Sequence, residues 1–584
     1  MHNWEDQTMT DVKAAKKLAK AEKKREKLER AAKRPLNRFF HHIDRGSTTG
    51  REIGSGLLMC VLAVCGIFMN MQLVTQLLVS GSAAEAATAD IAANGEIIAQ
   101  YYFLSMIVSF IGTLAMGLIA RLPLCQIPAL GLSTVLISTL GIGSGMTYQN
   151  LLAVCFVSAL IYTLVMAIPP VRKAIMKAIP QGVRRAAPAA VGLLLCFTML
   201  QMTGLFQAGT TTLAVEGVNS TSINLKKWTG LLNDTTTSFS LFDFSTYNSL
   251  GYKGDSYYPW IQCAMIGAVI AVAAFFLLRK TKHPVGHALI LGTVAYFVAY
   301  LGTVVFYFSK NGSLQYEIDS LWGRLWMVGS EDAQHLHLSY ILQNFSFGKV
   351  LSEGFDFTAC TEAGGNVALL FISGVATFLL TGIAQTDAVV CDGQPANEET
   401  DKQLGLALVC NAGANILAPL AGISPVATSV SGVAAKRDGA RSGLSAVVAS
   451  LGMLVSAFVW IVPFIFATTT SYDLSFNLYG HYGVVLQLLT DCSFIVVDAV
   501  MAVVGLVMVM NAVKGGFERT DDVAVFAITV VGAVMTSNVA IGIALGTIAH
   551  VLTNLFDREE RKLSVGNVVA AVVAVAVLVV LIML

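Results

Sequence analysis

The residue types best suited to binding chemistry fall in two short segments, Leu124–Thr134 (LCQIPALGLST) and Ala421–Ser431 (AGISPVATSVS). Each mixes small residues, hydroxyls and a proline where the flanking hydrophobicity marks the middle of a membrane. Pro128 and Pro425 cannot donate a backbone hydrogen bond, and each holds the residue before it extended. Gly131 and Gly422 let main chain approach a ligand closely. Ser133, Thr134, Ser424, Thr428, Ser429 and Ser431 add hydroxyls that both donate and accept. A half-helix starting at mid-membrane aims free N–H groups and a partial positive charge into a cavity. A flat, neutral ligand with an edge of alternating donors and acceptors suits such a lining. Either segment alone also reads as a Pro/Gly kink packed on Ser and Thr.

A third stretch, Thr381–Val390, holds Gln385, Thr386 and a single acid, Asp387, in an apolar run. Ionisable groups inside a membrane are expensive, which makes them candidates for function. Gln385 reads as a ligand-facing amide. Asp387 reads either as a cation- or proton-linked carboxylate, or as a wet residue at a helix end beside Asp392. Asn70 closes the apolar stretch of the first span. Gln201, Asn411, Asn415, Asp491, Asp498, Asn538 and His550 are isolated, and interhelical hydrogen bonding is the expected role of each.

These residues need elements to hold them, and the composition says which. Of 584 residues, 55% are hydrophobic and 13% charged, with a mean hydropathy of +0.67; a soluble domain carries roughly 25% charged residues. Fifteen apolar stretches approach the ~20 residues that cross a bilayer: 52–79, 98–120, 122–140, 148–168, 186–207, 260–278, 284–308, 366–390, 404–420, 422–435, 442–468, 484–511, 522–537, 538–556 and 564–584. Residues 1–50 hold 13 Lys or Arg against 7 Asp or Glu and read as a basic cytoplasmic extension beside anionic lipid, with no call for nucleic acid. Basic connections around Arg172–Arg185, Arg279–Lys282, Lys436–Arg441, Lys514–Arg519 and Arg558–Lys562 fit one orientation. Outer loops of 208–259 and 309–365 lie on the other side.

Fourteen spans divide as seven plus seven, and an odd number per half forces opposite orientations. The fold class expected is therefore an all-α polytopic membrane protein, a 14-helix inverted repeat with interrupted strand–half-helix segments in spans 3 and 10. The units are residues 1–50, a first repeat 51–308, the outer loop 309–365, a second repeat 366–556, and a C-terminal hydrophobic helix 557–584. A pair of interrupted segments in the two halves is a sequence pointer to a transporter's substrate site. There is no P-loop, no G-x-S-x-G, no H-E-x-x-H and no C-x-x-C, so no enzyme, ATP-driven pump, metal or cofactor is expected.

Arg51-Glu-Ile-Gly-Ser-Gly-Leu57 with Gly66–Asn70 resembles the first helix of AzgA-like purine permeases, a branch of the nucleobase–cation symporter family that also holds uracil and xanthine permeases. Leu122–Ser133 is similar to its third span, Ala178–Arg184 with Gly192 and Gly204 to its fifth, Gly422–Thr428 with Gly439–Gly443 to its tenth and eleventh, and Asn538–Gly546 to its penultimate stretch. The resemblance implies core and gate domains, with substrate between spans 3 and 10 facing spans 8 and 1. Ala129, Gly131, Ser133, Ser424, Thr428, Ser431, Gln385, Asp387 and Asn70 would then line it. It also implies proton-coupled uptake of a nucleobase through the plasma membrane, often by a dimer. Where the family carries an acid on the eighth span this chain has Gln385, and Ser431 stands where a glutamate is usual on the tenth. A transporter of the same fold for another small solute or organic anion is the alternative.

Overall fold

A computed structural model describes residues 35–80, 95–128, 147–202, 252–253, 256–257, 260–311, 348–362, 366–391, 398–459, 493–514, 516–517, 520–536, 538–556 and 564–583. Apolar runs of this length close every backbone hydrogen bond within the segment, as a bilayer demands, and the described chain is accordingly helical. In the first half these are α1 (Pro35–Phe40), α2 (Thr49–Ser80), α3 (Gly95–Ala115, ending in a wider turn Met116–Ala120), the strand β1 (Gln126–Pro128), α4 (Tyr148–Ala167), α5 (Pro169–Ala178), α6 (Gln181–Met202), α7 (Trp260–Leu277) and α8 (Pro284–Asn311). A small outer hairpin, β2 (Tyr252–Lys253) with β3 (Ser256–Tyr257), precedes α7. The second half runs α9 (Lys349–Glu353), α10 (Thr358–Glu362), α11 (Val367–Cys391), α12 (Glu398–Leu420), the strand β4 (Val426–Thr428), α13 (Ser431–Arg437), α14 (Gly443–Val459), α15 (Ser493–Val513), α16 (Thr520–Met535), α17 (Val539–Phe556) and α18 (Val565–Met583). Seven of these helices are at least 18 residues long and apolar enough to cross a membrane, with six shorter apolar helices beside them.

Packing sorts the helices into two bodies. In one, α14 lies on α2 and α3, α12 on α3 and α4, and α11 on α4, with both strands between them. In the other, α6 packs on α15, α16 and α17, and α7 on α8 and α15. In each half of the chain the elements of the first body precede the three long helices of the second. Within the second body Gly192 of α6 and Gly505 of α15 meet backbone to backbone, so that a Cβ on either would run into the other's carbonyl oxygen. Small residues permit this approach of helices in lipid.

The basic connections differ from the sequence reading in one respect. The basic stretch after span 4 is a short amphipathic helix, α5, with no buried side chain, and α18 packs along it. Between the bodies, Asp438 accepts from Val285 N (2.8 Å) and Gly286 N (2.8 Å), capping α8 from across the boundary. Burial raises the Asp438 carboxyl above the ordinary carboxylate range, and those two N–H groups pull it back. The expected third span beyond Pro128, most of residues 1–50 and most of the two long outer loops lie outside the described residues.

Candidate functional site

The two interrupted segments, some three hundred residues apart in sequence, meet as one antiparallel pair. Gln126 stands opposite Thr428, Ile127 opposite Ala427 and Pro128 opposite Val426. Ser429 N donates to Cys125 O at 2.9 Å. Antiparallel partners alternate between hydrogen-bonded and non-hydrogen-bonded pairs, and side chains come closer in the second kind. Counting from Cys125 and Ser429, Gln126 and Thr428 form that closer kind. Gln126 Nε2 accordingly donates to Thr428 Oγ1 at 3.0 Å.

Breaking a helix here leaves main-chain groups that lipid cannot satisfy, and neighbouring amides supply the partners. Asn415 of α12 donates to Val426 O (2.7 Å) and accepts from Val426 N (2.9 Å), occupying both backbone groups of one residue. Asn411, one turn earlier, donates to Gln126 Oε1 at 2.7 Å. Thr113 of α3 accepts from Gln126 N at 3.0 Å. On the other side, Asn70 Oδ1 accepts from Tyr101 Oη (2.7 Å) and Ser424 Oγ (2.8 Å). Tyr148 Oη donates to Gly422 O, and Gly422 itself sits at φ +75, a conformation that favours glycine.

From α11, Thr386 Oγ1 lies 3.1 Å from Thr428 Oγ1, and Gln385 Nε2 donates to Thr428 O at 3.2 Å. Gln385 is half-buried, and its Oε1 makes no hydrogen bond among the described residues. Ser431 turns its hydroxyl back to Ser429 Oγ (2.9 Å) and Cys125 Sγ (2.8 Å). The recorded partners of all these groups are neutral. Eight elements therefore converge on one cluster of amides and hydroxyls at the paired strands, with donors and acceptors and no charged partner among the described residues.

Asp387 is placed apart from Gln385 and Thr386. It is neither wet nor turned to this cluster: its side chain is 6% exposed and takes a two-pronged ion pair from Arg184 of α6. Arg184 Nη2 reaches Oδ1 at 2.9 Å and Nε reaches Oδ2 at 3.0 Å, while Cys391 Sγ donates to Oδ1 at 3.2 Å. Successive helical residues point about 100° apart, so Thr386 faces the strands and Asp387 faces the other body. Ala129, Gly131 and Ser133 lie outside the described residues. Asn538 caps α17 through Ala540 N (2.9 Å). Asp498, expected to hydrogen-bond a neighbouring helix, is buried without a hydrogen-bond partner for either oxygen among the described residues. Gln126 and Tyr101 were missed. Asn411 and Asn415 were read as isolated, although two amides one turn apart on an apolar helix are the signal that would have paired them with broken backbone.

Fold and site together define a multi-pass membrane protein with its polar centre inside the helical body. No family model matches the chain. It is similar to the guanine/hypoxanthine permease GhxP of Escherichia coli O157:H7, 23% identical over 543 residues, 92% of this chain and 96% of that one. It is also similar to the guanine/hypoxanthine permease PbuO of Bacillus subtilis, 20% identical over 468 residues, 80% of this chain and 86% of that one. Among solved structures, the transmembrane domain of the cyanobacterial bicarbonate transporter BicA covers 85% of this chain and 96% of its own length at 13% identity and a TM-score of 0.37. The curated relatives support the resemblance to the nucleobase permease family carried by the motifs.

Proposed function

We infer that this protein imports a nucleobase, a purine before others, across the plasma membrane by secondary active transport. The observation that carries this reading is the neutral amide and hydroxyl cluster at the β1–β4 pair. A purine is flat and uncharged, with ring N–H, carbonyl and amino groups along its edges. Gln385, whose Oε1 is unused, offers an acceptor beside a donor, which is the pattern a base edge complements. Thr428, Ser424, Ser431 and Asn70 shape the seat from strand, half-helix and α2; the family resemblance would add Ala129, Gly131 and Ser133, which lie outside the described residues. The names of the relatives, guanine/hypoxanthine permeases, support the same substrate class.

In this reading the first body carries the base and the second is the gate against which it moves. The N-terminus is cytoplasmic, protons drive uptake, and the protein works as a dimer. Asp387 is engaged by Arg184 and so holds the bodies together rather than the substrate. The family's usual acids are Gln385 and Ser431 here, which removes a carboxylate acceptor for ring N–H groups and leaves a carrier of another small solute or organic anion as the second reading. Uptake of labelled hypoxanthine in cells lacking purine uptake tests the two, with adenine, guanine, hypoxanthine, xanthine, uracil and urate as competitors. Saturable uptake blocked by guanine is expected. No saturable uptake of any base would overturn the reading.

A further inference from the structure

Asp498 stands apart from every group described above. It lies on α15, buried at 1% exposure, and neither carboxylate oxygen has a hydrogen-bond partner among the described residues. Position adds to this. α15 belongs to the second body, yet it also packs on α2 and α13 of the first. The thiol of Cys65, on α2, is close enough to be influenced by Asp498, and Asn70 of the site follows on the same helix five residues later. Asp498 therefore lies on the helix by which the second body packs against the first.

Buried titratable groups described on the elements packed against α15 include Cys65 of α2, Cys196 of α6, Cys263 of α7 and Tyr296 of α8, none of them a cation. The cations sit at the far end: Arg185 of α6 bonds Ala512 O and Arg437 of α13 bonds Asn511 Oδ1. Those carbonyl and amide groups are thirteen or more residues further along α15, about 20 Å at 1.5 Å per residue. An ionised carboxylate with no donor and no counter-charge is costly enough in such a place that the group takes up a proton instead. A metal cation needs several oxygen ligands, and no cluster of three His, Cys, Asp or Glu is present among the described residues.

We propose that Asp498 is a proton-binding site of the transport cycle, protonated while the two bodies are packed as described and deprotonated when their separation wets it. This deepens the transport reading and rests on it. The step balances simply: the carboxylic O–H bond breaks, the proton passes to water on one side, and the carboxylate takes a proton from water on the other. Infrared difference spectra of the purified protein, wild type minus Asp498→Asn, are expected to show the carbonyl stretch of a protonated carboxyl at neutral pH. Only carboxylate bands would overturn the proposal without touching the transport reading. In proteoliposomes, Asp498→Asn is expected to lose guanine accumulation driven by a pH gradient, whereas Asp498→Glu keeps it with a displaced pH profile. Undiminished gradient-driven accumulation in Asp498→Asn would overturn it. Absence of guanine exchange by the wild type would instead remove the transport reading and the proposal with it. A thermal unfolding profile unchanged in Asp498→Asn separates the loss of coupling from misfolding.

Discussion

Asp387→Ala is expected to destabilise the protein by about 3–5 kcal/mol, the cost of leaving a buried cation without its partner. Arg184 is 21% exposed, and its remaining acidic neighbour, Asp401, is 4.0 Å away and 61% exposed. That neighbour cannot replace two short, parallel hydrogen bonds from a fixed guanidinium fork. The double change Arg184→Leu with Asp387→Leu is expected to be far milder, because replacing both members of a buried pair by apolar residues removes the uncompensated charge as well. Thermal unfolding in detergent across the four-member cycle measures the difference as a coupling energy. A single Asp387→Ala protein as stable as the wild type would mean that the pair is not formed. The pair joins α6 of one body to α11 of the other, so its breakage also bears on movement. Faster exchange of substrate with the cytoplasmic side is the expected companion effect in the double variant.

Gln126→Ala is the second large effect. This one side chain accepts from Asn411 Nδ2 and donates to Thr428 Oγ1. Its removal leaves a buried amide N–H unpaired, at about 1–3 kcal/mol, and takes one of two partners from the hydroxyl at the centre of the seat, leaving Thr386 Oγ1 as the other. The Val426 clamp by Asn415 remains, so the strand pair should survive while Thr428 is held less firmly. Base uptake is expected to fall by roughly tenfold or more on that scale, 1.4 kcal/mol being a factor of ten, with normal amounts of protein in the membrane. Gln126→Glu separates packing from hydrogen bonding: it keeps the acceptor for Asn411 and loses the donor to Thr428. Uptake unchanged in Gln126→Ala would show that the strand pair does not shape the site.

The sequence carried the interruptions plainly, because proline and glycine inside apolar runs have local consequences. Pro128, Pro425 and Gly422 mark where backbone leaves the helix, and the structure has β1 and β4 at those places. Pairing is a different matter. That Gln126 would face Thr428, and not Ile127 or Cys125, depends on register, which is fixed by packing between halves of the chain. Arg184 and Asp387 were both visible, one as a basic residue of a connection and the other as a lone acid. Their contact spans 203 positions and no local pattern encodes it. Asp498 was legible as an intramembrane acid, but its lack of partners could be seen only once every neighbouring helix was in place. The amphipathic α5 was hidden by its charges, which looked like an ordinary cytoplasmic link.

The central claim is that a neutral seat built on two paired strands, with Gln385 beside it, holds the base. Equilibrium binding of labelled guanine to the purified protein, wild type against Gln385→Ala, tests this most directly. Gln385 is half-buried and its side chain makes one hydrogen bond among the described residues, to Thr428 O at 3.2 Å, so its truncation removes a ligand group with little cost to the fold. The account predicts saturable binding by the wild type, weakened at least about tenfold in the variant, the effect of leaving a bound base's polar edge unpaired. Equal affinity in both proteins would contradict it.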